Sequence, residues 1–277
     1  MKAAQFDYLR PNDLGDALAA LTKAEGAKLL AGGQSLGPML NLRLARPSLL
    51  VDISRLESLQ QLKDTGRAWR IGAGVTHARL EDMRGLLPGG EMLCEVAAAI
   101  AYRSVRNRGT IGGSLAHADP AGDWPLALAA LGASVNIHGP TPRSMLVPRF
   151  IEGAFTTALA ANEIIETIDV PKLSRTGRYG FYKFCRKTGE FAEASAAAVF
   201  DPESGTARIF LGALRGAPRP LASLAQDVAK QGQSAASTEA ISQALSQTIG
   251  DLDVIEHDMR KPVFHRKLGD DAIEHVP

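Results

Sequence analysis

TIGGSLAHADPAGD, residues 110–123, decides how this chain is read. It joins two adjacent glycines, Gly112 and Gly113, to small neighbours, two aspartates and a histidine, with hardly any bulky side chain. A backbone that closely approaches a diphosphate cannot carry side chains at the contact. Glycine removes that obstacle and permits positive φ, so successive N–H groups can converge on phosphate oxygens. A second pair, Gly32-Gly33, lies in LAGGQSL, residues 30–36. Hydroxyls follow both pairs, at Ser35 and Ser114, and Thr110 stands on the other side of the second. Asp119 and Asp123 would repel a phosphate but suit sugar or polyol hydroxyls. Two such nests predict a ligand with two phosphates, a dinucleotide held between the halves of one cradle. A single GG is usually only a turn. Neither stretch matches GxGxxG or GxxxxGK[ST], so a Rossmann fingerprint and a Walker loop are excluded.

The flanking patterns supply the scaffold. Asn12 or Asp13 can cap a helix whose apolar residues Leu14, Ala17, Leu18 and Leu21 share one face. Residues 28–30 read as a strand running into the first glycine loop, 36–44 as a short helix and 49–53 as a buried strand. The first ~55 residues thus form a compact α/β unit of the kind that presents phosphate-binding loops. Strands are expected at 59–63 and 69–72, and helices at 77–83 (capped by Thr76), 91–101 and 125–131. Further strands are expected at 133–138, 144–147 and 163–170. Three strand-like runs follow at 178–185, 194–200 and 207–214, the last two separated by the turn DPESG. Their short connections predict an antiparallel meander. Helices near 222–230 and 238–248 follow it. A domain boundary falls near Leu173, after Pro171.

Bulk properties exclude several classes. The 277 residues are a soft prior for two domains, and 45% hydrophobic content suits sizeable cores. Thirty-one basic residues against 30 acidic leave a formal charge of +1, no basis for a nucleic-acid or anionic-membrane surface. Two unpartnered cysteines, Cys94 and Cys185, do not build a disulfide framework, a zinc site or an iron–sulfur cluster within this chain. MKAAQFDYLRP lacks the apolar run of a signal peptide, and the greasiest stretch, 126–135, is too short to span a bilayer. A soluble cytoplasmic protein without membrane insertion is expected.

LLAGGQSLGPMLNLRLARPSLLVDIS, RNRGTIGGSLAHADPAGDWPLALAALGA and GFYKFCRKTGEFAEASAAAVF together resemble the FAD-binding medium subunit of molybdenum hydroxylases. That family includes the carbon monoxide dehydrogenase flavoprotein and the FAD domain of xanthine dehydrogenase. The resemblance extends to about Leu214 and weakens afterwards. It implies an α+β fold: a two-part FAD-binding domain of the vanillyl-alcohol-oxidase (PCMH) type over residues 1–173, with subdomains 1–55 and 56–173. A small α+β C-terminal domain with an antiparallel sheet, residues 174–277, would follow. It implies FAD held by Leu30, Ala31, Gly32, Gly33, Gln34, Ser35 and Leu36, and by Thr110, Ile111, Gly112, Gly113 and Ser114. Asp123, Ile165 and Lys183 match further family contacts. It implies that this chain relays electrons from 2Fe–2S clusters of a small subunit to an external acceptor. A large subunit with the molybdenum cofactor would hydroxylate substrate, the whole forming a dimer of heterotrimers. No protein acid, base or nucleophile is expected here, since the isoalloxazine does the chemistry. Ser114 stands where many members carry asparagine, Trp124 where a small aliphatic is usual, and 253–277 matches the family's final helix poorly.

Two other functions fit the same loops: a free-standing FAD-dependent oxidase or dehydrogenase, and a non-catalytic nucleotide-binding or assembly protein. Absent Cys clusters make the relay dependent on partner chains. A small C-terminal domain with few polar or aromatic residues disfavours a substrate pocket. Gly112→Val is expected to abolish FAD retention with the fold largely intact. His117 and His77 are expected to be structural. Arg103, Arg106 and Arg108 meet either a phosphate, a partner's acids or local carboxylates. His257 and His265 lack metal-ligand spacing. Tyr179 and Tyr182 lie on opposite faces of one strand, so at most one faces a flavin.

Overall fold

The structure is a computed structural model that describes residues 2–249. The segment 253–277, with His257 and His265, lies outside the described residues. The chain opens with β1 (Asp7–Leu9), α1 (Leu14–Lys23), β2 (Lys28–Leu30), α2 (Leu36–Asn41) and β3 (Leu49–Asp52). These strands form a parallel sheet in the order β1-β3-β2. The alternation along β3 explains the layering. Leu50 packs with Leu40 of α2 on one face. Val51 points the other way, into the main core with Leu14, Ala17 and Ala20 of α1. Asp13 caps α1, its carboxylate accepting from Asp16 N at 2.8 Å. The exposed strand β1 was not expected from the sequence; three residues carry too little alternation to register.

The middle of the chain holds a 3₁₀ turn (Glu57–Gln60), β4 (Leu62–Asp64), β5 (Ala68–Gly72), α3 (His77–Asp82), α4 (Glu91–Ala99) and α5 (Arg103–Arg106). It continues through α6 (Ile111–His117), α7 (Asp123–Leu131), β6 (Ser134–His138), β7 (Arg143–Leu146) and α8 (Val147–Phe150). The hairpin β8 (Ile151–Gly153) and β9 (Thr156–Thr157) and the long strand β10 (Ile164–Pro171) complete it. The five-stranded antiparallel sheet runs β4-β5-β10-β6-β7, with β10 at its centre. The strand expected at 59–63 begins instead as the 3₁₀ turn, because Leu59 is driven fully into the core. Helix α7 is buried along all of its residues, Asp123 through Leu131. Such a helix has no solvent face and must be enclosed on every side.

The last part closes over α7. Strands β11 (Arg178–Phe184), β12 (Ala194–Asp201), β13 (Thr206–Gly212) and β14 (Arg219–Pro220) form the expected antiparallel meander. Helices α9 (Ala222–Gln231) and α10 (Thr238–Ile249) follow. Period-two alternation gives this sheet two apolar faces. Ala197, Val199 and Phe210 join the main core, whereas Ala194, Ala196, Ile209 and Leu211 pack with Leu224, Val228 and Leu245 of α9 and α10. Strand β13 lies so close to α7 that a Cβ on Gly212 would fall 2.9 Å from the Leu126 side chain. A change of sheet follows Leu173, but one core runs across that point from Leu14 to Phe210. Among the described residues no helix is long and apolar enough to cross a membrane.

Candidate functional site

The first glycine stretch meets the chain immediately ahead of the second, at Arg108 and Gly109. A Cβ on Gly32 would lie 2.0 Å from the Arg108 carbonyl oxygen and 2.9 Å from Gly109 Cα. Only a residue without a side chain permits that approach. The loop leaves the carboxyl end of β2, where open α/β sheets bind ligands. Gly33 adopts φ +72, in the left-handed region. Among the described residues, the N–H groups of Gly32, Gly33, Gln34 and Ser35 find no acceptor. A run of amides around a left-handed glycine makes an anion-binding concavity. Gln34 folds back on the loop, donating to Gly32 O at 3.3 Å. Leu36 starts α2, whereas Leu30 and Ala31 are half-buried and deliver the chain to the turn.

The second stretch is built differently. It is not a glycine loop but the short helix α6, capped by Thr110, whose Oγ1 accepts from Gly113 N at 3.0 Å. The remaining amides are also used. Ile111 N donates to Val75 O, Gly112 N to Ala73 O and Ser114 N to Thr110 O. The expected second nest is therefore absent. This stretch offers the Thr110 hydroxyl proton and the Ser114 hydroxyl rather than N–H groups. Gly112 is required for packing: a Cβ there would lie 2.4 Å from Ala73 Cβ and 2.7 Å from Ala73 O. The expectation that Gly112→Val spares the fold is corrected accordingly. Valine would drive α6 off β5 and its extension at Ala73, so loss of folding precedes any effect on a ligand.

Asp123 begins α7 and is buried, and Lys183 reaches it from β11. Lys183 Nζ donates to Asp123 Oδ2 at 3.0 Å and to Ala99 O at 3.4 Å. Both side chains are less than a tenth exposed. Burial pushes the Asp123 carboxyl above the usual range, and the Lys183 ammonium opposes that push. Asp123 Oδ1 is buried with no hydrogen-bond partner among the described residues. It is an acceptor to which a ligand hydroxyl can donate, in keeping with a cofactor carrying a polyol chain. The sequence singled out both residues but not their pairing.

Behind Asp123, Trp124 Nε1 donates to His77 Nδ1 at 3.0 Å. His77 N donates to Gly109 O at 2.9 Å, and its ring sits where a Cβ on Gly109 would be. One buried imidazole thus ties α3, α7 and the lead-in to α6 together. Burial, then nearby Arg106, lower its pKa from 6.5 to about 4. The unfolded chain binds this proton near pH 6.5 and the folded chain only near 4. Stability therefore falls as pH drops through that window, by at most about 3 kcal/mol. His77→Gln keeps an acceptor for Trp124 and is expected to flatten urea-measured stability between pH 7 and pH 4.5. An unchanged pH slope would contradict a neutral buried His77.

Other sites resolve as follows. Ile165 is buried in the main core beside a β-bulge in β10. Arg103 pairs with Glu81 and Asp82, and Arg106 with Glu81. Arg108 alone of the three stays at the glycine loop, its Nε 3.5 Å from Gly32 O. The His117 ring packs on Phe155 at 5.1 Å, a bracing contact. Tyr179 donates to Glu95 and faces the main core, opposite Tyr182.

A family profile described as the FAD binding domain in molybdopterin dehydrogenase matches residues 4–173. The chain belongs to this family. As one of these FAD-binding domains, it takes FAD as its cofactor and is an oxidoreductase subunit. It is 37% identical over 200 residues to the nicotine 6-hydroxylase medium subunit of Paenarthrobacter nicotinovorans, covering 72% of this chain and 70% of that one. It is 37% identical over 204 residues to the carbon monoxide dehydrogenase medium chain of Hydrogenophaga pseudoflava, covering 73% and 71%. The likeness of fold extends further. Reconstituted CO dehydrogenase from Oligotropha carboxidovorans superposes with a TM-score of 0.87 at 30% identity, over 96% of this chain and 97% of that one. Quinoline 2-oxidoreductase from Pseudomonas putida 86 gives 0.85 at 29% identity, over 97% of each. The free amides at Gly32–Ser35 and the unpartnered acceptor of Asp123 have the chemistry that suits a diphosphate and a polyol hydroxyl.

Proposed function

We propose that this chain is the electron-relay subunit of a molybdenum hydroxylase. It would take electrons from the 2Fe–2S clusters of a small subunit and pass them to an external acceptor. A separate large subunit with the molybdenum cofactor would hydroxylate the substrate, in a dimer of heterotrimers in the cytoplasm. The two glycine stretches would belong to a PCMH-type two-part domain over residues 1–173, with residues 174–277 as a C-terminal domain. Bound FAD supplies the redox chemistry, accepting and releasing electrons. The chain's own residues bind and orient it. Gly32 to Ser35 would hold the diphosphate with their amides, with Leu30, Ala31 and Leu36 shaping the loop. Thr110 and Ser114 would donate hydroxyl protons across the junction, while Ile111, Gly112 and Gly113 fix α6 in place. Asp123 would accept from a ribityl or ribose hydroxyl, steadied by Lys183. The observation that carries this reading is the run of free amides at Gly32–Ser35, set against the second stretch and beside a buried acceptor.

The purified full chain is expected to show a flavin band near ~450 nm, released on denaturation as FAD. Large and small subunits are expected to co-purify with it. A colourless chain that takes up no added FAD would overturn the assignment. A yellow chain that turns over a substrate with no partner present would replace the relay by a free-standing oxidase or dehydrogenase.

A further inference from the structure

We propose that Arg108 supplies the positive charge that neutralises the cofactor's diphosphate, an assignment that rests on the FAD reading above. A diphosphate brings two formal charges into the cleft, and backbone amides contribute only partial charges against them. The first loop supplies its free amides; the second supplies none, because every N–H from Ile111 to Ser114 is already bonded. A full positive charge is therefore needed from a side chain at the junction. Of the three arginines ahead of α6, Arg103 and Arg106 are held by Glu81 and Asp82. Arg108 forms no ion pair among the described residues and is exposed. Its position is fixed all the same. Its carbonyl occupies the space a Gly32 side chain would need, and its Nε lies 3.5 Å from Gly32 O. The backbone of Arg108 is thus held against Gly32, and its guanidinium lies beside the amide run with its Nη groups unengaged by described residues. A planar fork with free N–H groups is the side chain best matched to two phosphate oxygens. Lys183, the cation named from the sequence, is already committed to Asp123 and Ala99.

The test uses the full chain stripped of flavin, titrated with FAD and, in competition, with ADP. ADP carries the same two phosphates without the flavin. Arg108→Gln keeps a donor for Gly32 O but removes the charge. It is expected to weaken FAD about 10- to 100-fold and ADP by a similar factor, with an unchanged unfolding midpoint without ligand. Arg108→Lys keeps the charge and is expected to lose less than tenfold. Added salt should weaken the wild type and the lysine variant more than the glutamine variant, since screening acts on the full charge. FAD affinity in Arg108→Gln equal to wild type would overturn the proposal and leave Arg108 as a strut for Gly32. A loss for FAD without a matching loss for ADP would overturn it too, by placing the contact away from the diphosphate. A wild-type chain that binds no FAD would instead overturn the FAD reading itself.

Discussion

Gly32→Ala is expected to empty the protein of FAD, weakening affinity by at least ~100-fold. The methyl group would sit 2.0 Å from the Arg108 oxygen and 2.7 Å from its carbonyl carbon. Both are backbone atoms that cannot rotate aside. Relief requires the two stretches to separate, and separation disperses the groups that converge on the diphosphate. The half-buried loop carries little of the core, so the unfolding midpoint without flavin should move little. Gly37 provides the control: nothing lies within 4 Å of a Cβ built there, and alanine at that helical position should retain FAD fully. Flavin-to-protein ratio after gel filtration measures the outcome. Stoichiometric FAD in Gly32→Ala would mean that the junction is not the diphosphate site.

The second large effect concerns the buried ion pair. Removing one member leaves the other charged and unpaired in the interior, which costs about 3–5 kcal/mol. Asp123→Ala and Lys183→Met are each expected to lower stability by that amount, seen as a melting temperature roughly 6–20 °C lower. The double variant removes both charges and is expected to regain most of the loss. FAD binding separates the two functions of Asp123. The double variant still lacks the acceptor at Oδ1, so its flavin affinity should stay low while its stability returns. Full recovery of both would show that Oδ1 is not a ligand contact. Single losses below about 1 kcal/mol would show that the pair is solvated rather than buried.

The sequence was legible where periodicity or capping is strong. Asp13 and Thr76 act as caps as their spacing suggests, and the short connections between the strand-like runs foretold the meander. It misled at 110–117, where two adjacent glycines have poor helix propensity. Tertiary fit overrides that propensity: Gly112 is the residue small enough to let α6 lie against Ala73. At Leu30–Leu36 the turn was legible because the need for glycine at Gly33, with φ +72, is local, whereas the need at Gly32 comes from Arg108 and was not. The Asp123–Lys183 pair and the His77–Trp124 bond were not readable, since 60 and 47 residues separate the partners.

Helix α7 gives the order in which the molecule can be made. Its buried length ends at Leu131, yet the strand that closes over Leu126 ends only at Gly212. On the ribosome that interval lasts roughly 4–16 s at typical elongation rates. During it, one of the most apolar helices of the chain waits for its cover, a natural substrate for a holdase chaperone. Lys183 also arrives within that interval, so Asp123 is unpaired until β11 is in place. The Lys183-paired Asp123 that is proposed to accept a flavin hydroxyl is therefore complete only once β11 has docked.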